Sequence, residues 1–116
     1  MSIFMHLNLA GECVQTTTVP LLCLRLETPR ERIALPYASL TSVELSTNEA
    51  TLILGFVTHR VTVKGRKLHE AHCAIAAGMV AALRIAVSSD SVHSPKPAAE
   101  RMAIEEIRIL PVEAEP

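Results

Sequence analysis

The sequence predicts an α+β domain: a small antiparallel or mixed sheet covered by one long helix. Its element order is compatible with a partly open PH-like barrel. Three observations carry that expectation. Short runs of alternating polarity, separated by turn residues, recur from the start of the chain to Lys64. From Lys67 the apolar period changes, and Leu68, His72, Ile75, Met79, Leu83 and Val87 recur three or four residues apart. The chain has 116 residues and a mass of 12.6 kDa, so it forms one domain large enough to bury a core. Apolar residues make up 49% and aromatic residues only 3%, so that core is built from Leu, Ile, Val, Ala and Met.

Residues 2–9 alternate, with Ile3, Met5, Leu7 and Leu9 on one face, and read as a strand. Gly11 and Glu12 mark a turn, and Thr16, Thr17 and Thr18 favour extended backbone. Residues 19–27 form a strong strand with Leu22, Leu24 and Leu26 toward the core and Pro20 at its start. After a turn at residues 28–31, residues 32–35 give a short strand with Ile33 and Leu35 inward. Residues 36–40 suit a single helical turn packed on the sheet by Tyr37 and Leu40. Residues 41–45 return to strand, with Val43 and Leu45 on one face, and Asn48 and Glu49 turn the chain.

Residues 50–57 are apolar on both faces, with Leu52, Leu54 and Phe56 against Ile53 and Val57. That pattern describes a central strand with core on one side and a helix on the other. Gly55 marks a bulge or a close crossing. In the next strand His59, Val61 and Val63 oppose Arg60, Thr62 and Lys64, and Gly65 turns the chain. A helix over residues 67–87 follows, its stripe widened by Ala71, Ala76, Ala82 and Ala86. Gly78 weakens that helix by roughly 1 kcal/mol relative to Ala, which a close approach to a neighbouring element would offset. The compact β-rich domain thus covers residues 1–88. Residues 89–103, rich in Ser and Pro, read as a linker or long loop. Residues 104–110 read as a terminal strand that docks on the same domain or on a partner.

Composition narrows the function classes. A formal net charge of -1 disfavours indiscriminate nucleic-acid coating and makes self-association unsurprising. Cys13, Cys23 and Cys73 are odd in number and widely spaced, as free thiols of a reducing compartment are. The first residues lack a basic leader, and no uninterrupted apolar stretch of about 18 residues exists, so the expectation is cytoplasmic with no membrane partner.

Two clusters carry chemistry. Arg60, Lys64, Arg66 and Lys67 concentrate positive charge at the entry to the helix, where free backbone N–H groups also favour anions. They are candidates for binding phosphate or carboxylate, although the glycine-rich cradle and Gly-Lys-Ser/Thr ending of a P-loop are absent. Interleaved aromatics are missing too, which weakens a nucleic-acid reading. The ordinary role for the same residues is a solvated strand face and turn. His69, His72 and Cys73 fall three and four apart on the helix and are chemically suited to zinc or copper. The run is not H-E-x-x-H, and packing at the helix edge is its ordinary role. No catalytic residue and no cofactor emerges. The leading expectation is a non-enzymatic interaction or self-assembly module forming a homo-oligomer. The alternatives are an anion- or nucleic-acid-binding regulatory domain using residues 64–67, and a small metal-dependent enzyme.

Overall fold

The computed structural model of the chain describes residues 13–87 and 101–112. The strand expected over residues 2–9, and most of the linker expected over residues 89–103, lie outside them. The class is α+β. One sheet contains β1 (Val14–Thr16), β2 (Cys23–Glu27), β3 (Arg32–Pro36) and β7 (Val80–Arg84), in the order β1-β7-β2-β3. It is mixed: β7 runs parallel to β2 and antiparallel to β1, and β2 runs antiparallel to β3. The second sheet contains β4 (Leu40–Leu45), β5 (Thr51–Phe56), β6 (His59–Arg66), β8 (Ala86–Val87) and β9 (Ala103–Pro111). It is antiparallel throughout, in the order β4-β5-β6-β9-β8. Neither sheet closes into a barrel.

The core lies on the inner faces of both sheets. Leu24 and Leu26 of β2, Leu52 and Leu54 of β5, Val61 and Val63 of β6 and Leu83 of β7 are all fully buried. These residues alternate along β2, β5 and β6, which is the period-two pattern visible in the sequence. Ile104 and Ile107 of β9 complete the same cluster, so the C-terminal strand belongs to this chain's own sheet. Leu22 departs from its expected place in the core. It is 88% exposed, one residue before β2 begins at Cys23, although its carbonyl accepts from the Tyr37 N–H at 2.8 Å in the register that β2 and β3 share.

The helix is shorter than its sequence pattern. α1 spans His69–Ala76, and residues 80–84 and 86–87 are strands. Gly78 is the reason. Its φ of 74° is left-handed; its N–H reaches the Ile75 carbonyl at 2.9 Å, and the Met79 N–H reaches Ala74 at 2.9 Å. Those two bonds form a Schellman C-terminal cap, for which glycine is the preferred residue. A Cβ at Gly78 would meet nothing within 4 Å, so the close approach expected there does not occur. An eight-residue helix is marginal alone. Burial of Leu68, Ala71 and Ile75 holds α1 chiefly against β4 and secondarily against β7. Each large apolar side chain buried this way contributes about 1.5–3 kcal/mol.

Gly65 also differs from its expected role. It lies within β6, and a Cβ there would overlap the Ala103 carbonyl of β9. The register between β6 and β9 slips at this point: Lys64 faces Glu106, whereas Gly65 faces Ile104, leaving Glu105 as the extra residue of a bulge. The turn toward the helix is made by Lys67, at φ 56°. Gly55 does mark an irregularity, since the β4 register shifts opposite it and a Cβ there would meet Ser42 Oγ.

Tyr37 opens a 3-10 turn at Tyr37–Ser39 and fastens it across the fold, as the apolar pattern of residues 36–40 suggests. Its hydroxyl donates to the Val80 carbonyl at 2.7 Å and accepts from the Val80 N–H at 3.1 Å.

Candidate functional site

Arg60 and Lys64 are exposed on the outer face of β6, separated by Thr62 on the same face. Four residues of strand place their Cα atoms about 13 Å apart. Lys64 pairs in register with Glu106 of β9 and Thr51 of β5. Arg66 Nη1 lies 3.3 Å from Glu105 Oε2. Lys67 is exposed at the left-handed turn. The positive charge dense in the sequence is therefore interleaved with Glu105 and Glu106 from a strand some forty residues later. The helix beyond it starts at His69, and its N-cap residue, Leu68, offers no side-chain cap.

The histidines and cysteine divide into two environments. His72 is half-buried, and its Nε2 lies 3.2 Å from the Val43 carbonyl of β4, tying α1 to the second sheet. His69 and Cys73 are exposed, and Cys73 Sγ lies 3.7 Å from His69 Nε2. His59 begins β6, with its Nδ1 2.8 Å from Thr58 Oγ1. The length of β6, about 23 Å, separates it from the start of α1. Among the described residues no group of three or more His, Cys, Asp or Glu side chains is placed to hold a metal ion.

The third feature is the outer face of the second sheet and the part of the β9 edge that no described strand pairs. Residues 51, 53 and 55 share the outer face of β5, and Val57 follows in the turn that leads to β6. Ile53 is half-buried and Val57 is 63% exposed, so the strand expected to be enclosed on both sides is fully buried on one. Leu110, 52% exposed, pairs with Arg60 on this outer face, and Val112, 50% exposed, lies two residues beyond it. The Val112 N–H donates to the Thr58 carbonyl at 2.9 Å, beside Val57. Val57, Leu110 and Val112 thus gather at one end of the sheet.

That hydrogen bond also sets which backbone groups face outward. In an antiparallel ladder alternate residues bond to the same neighbour, so residues 106, 108 and 110 bond toward β6. Ile107 and Ile109 then direct their N–H and C=O groups to the other side. There β8 pairs only with Ala103 and Ile104, and no described strand continues along β9. An open groove of about 700 Å³ follows this edge, walled by residues 28–31, Ile85 and residues 105–110. Arg108 and Glu106 form an ion pair at 3.4 Å on the outer face of the strand. The bulge at Glu105 and Pro111 limit the regular edge to the residues between them.

Residues 106–110 alternate well enough to read as a strand, although Ile104, Ile107 and Ile109 do not keep one period throughout. Nothing in the sequence places Val112 beside the turn at Val57 and Thr58, because the two are brought together only by the pairing of β6 with β9. No helix among the described residues is long and apolar enough to cross a membrane. The chain matches no protein-family model, no curated protein and no solved structure.

Proposed function

We propose that this chain is a non-enzymatic interaction module that self-associates through its second sheet. The observation that supports this reading is the exposure of Val57, Leu110 and Val112 at one end of the second sheet, near an edge of β9 that no described strand pairs. Apolar side chains grouped on one surface, rather than scattered singly, favour burial against another protein. At about 25 cal/mol for each Å² of apolar surface removed from water, covering such a patch supplies part of an association free energy, to which edge pairing adds hydrogen bonds. A formal net charge of -1 opposes association only weakly.

Sedimentation equilibrium over a hundredfold range of protein concentration, in the presence of a chelator, tests the reading. The expected result is a mass that rises from one chain to a discrete oligomer. A mass of one chain throughout would overturn it. The basic cluster supplies no comparable support for anion binding, since Glu105 and Glu106 lie among its cations.

A further inference from the structure

The pair formed by His69 and Cys73 is unused by the packing. Both residues are exposed, they stand one helical turn apart on α1, and Cys73 Sγ lies 3.7 Å from His69 Nε2. Zinc binds imidazole nitrogen at about 2.0–2.1 Å and thiolate sulfur at about 2.3 Å. Two such ligands at a tetrahedral angle are separated by about 3.6 Å. The side chains therefore already span the edge of a zinc tetrahedron, without rearrangement of the helix. His72 is not part of it, since its Nε2 engages the Val43 carbonyl, and no third ligand from the described residues joins the pair.

We propose that His69 and Cys73 form one half of a tetrahedral site for a soft divalent cation of the zinc type, completed by the same two residues of a second copy of this chain. Two imidazoles and two thiolates satisfy the four-coordinate preference of zinc, and the two thiolate charges balance the ion. Each Cys73 thiol releases its proton to solvent on ligation, and no electron is transferred. The two-copy arrangement is a contact on α1 separate from the sheet contact proposed above, so a chain that is single in chelator and paired with cobalt supports the site and refutes only the sheet contact. Two exposed copies of one helix turn meet about a two-fold axis, the commonest symmetry of homo-oligomers.

Cobalt(II) titration of the reduced full chain, followed by absorption spectroscopy and sedimentation, tests the proposal. The expected result is a thiolate-to-cobalt charge-transfer band saturating at one ion for two chains, with a parallel rise in mass. Zinc should displace the cobalt. Both His69→Ala and Cys73→Ser should lose the band and the metal-dependent rise, with circular dichroism unchanged because both side chains are solvent-exposed, while His59→Ala should retain them. Absence of the band, saturation at one ion per chain without a change of mass, or survival of the band in either helix variant would overturn the site and leave the Sγ to Nε2 contact as a weak hydrogen bond. Sedimentation with chelator keeps the two ideas apart. Metal-free oligomers that cobalt leaves unchanged refute only the metal site, whereas a chain that stays single with and without cobalt refutes both.

Discussion

Gly65 and Gly78 occupy positions that demand glycine for different physical reasons. At Gly78 the backbone is left-handed and the surrounding space is open. Gly78→Ala therefore carries only the conformational cost of that region for an L-residue, about 1–2 kcal/mol. At Gly65 the obstacle is the Ala103 carbonyl of a paired strand, which cannot move without disturbing the ladder. Gly65→Ala should cost about 3 kcal/mol or more. Urea denaturation of the two variants checks the order, and a smaller loss at Gly65 would contradict the packing of β6 on β9. Tyr37 offers a second test at this scale. Burial raises its pKa from 10.0 to about 12, and the Val80 bond opposes part of that rise. The hydroxyl is thus held neutral in the fold, and its contribution is intact below about pH 10 and lost as pH climbs toward 12. Tyr37→Phe should cost about 1–2 kcal/mol at neutral pH. The difference from wild type should shrink between about pH 9 and 12, and a difference constant across that window would refute the assignment. The alternating core positions were legible one residue at a time. That Lys67 rather than Gly65 turns the chain was not, because the steric limit that Ala103 sets at Gly65 is absent from local sequence.

At the scale of elements, the segment after Ala76 shows how tertiary pairing overrides propensity. Residues 79–87 carry Ala, Leu, Met and Arg, all good helix formers, and their apolar spacing continues that of α1. The Schellman cap at Gly78 stops the helix, and β7 is then enclosed between β1 and β2. Ala82 is fully buried there, in register with Gln15 on one side and Arg25 on the other. Arg25 Nη2 reaches Gln15 Oε1 at 3.4 Å, a bridge across the Ala82 position that a small side chain permits. Ala82→Leu should therefore destabilise by about 1–3 kcal/mol through overpacking, although it increases apolarity. On the exposed side of a helix the same change would be nearly neutral. A thermal midpoint unchanged by Ala82→Leu would contradict the strand. The sequence contained the stop signal in Gly78. The missing information was a partner strand on each side of residues 80–84, which comes from Val14–Thr16 and Cys23–Glu27, more than fifty residues earlier.

For the molecule as a whole, the self-association reading turns on a surface that forms only when β9 returns to β6. Leu110→Lys replaces an exposed apolar side chain at the centre of that surface with a charge. It should weaken association at least tenfold while leaving the unfolding midpoint nearly unchanged, because Leu110 is half exposed in the single chain. Sedimentation and denaturation of the same sample separate the two effects. Equal loss of stability and association would mean that Leu110 supports the fold rather than a contact. The candidate site was legible in part. The spacing of His69 and Cys73 places them on one helical face, and the basic run from Arg60 to Lys67 is evident in the sequence. The pairing of Arg66 with Glu105, the placement of Lys64 opposite Glu106 and the separation of His72 from His69 and Cys73 required the strand register and the packing of α1 on β4.

By itself the sequence determined the α+β class, most inward-facing positions of β2, β5 and β6, the turn at Asn48 and Glu49, and the start of the helix near residue 68. Each follows from local periodicity or turn chemistry, which acts over a few residues. Only the tertiary structure decided that the strands divide between two sheets, that residues 80–84 and 86–87 are strands, and that the outer face of β5 is only half-buried among the described residues. Those outcomes depend on which distant strands supply hydrogen bonds and which side chains exclude one another, and neither quantity is encoded in a window shorter than the fold.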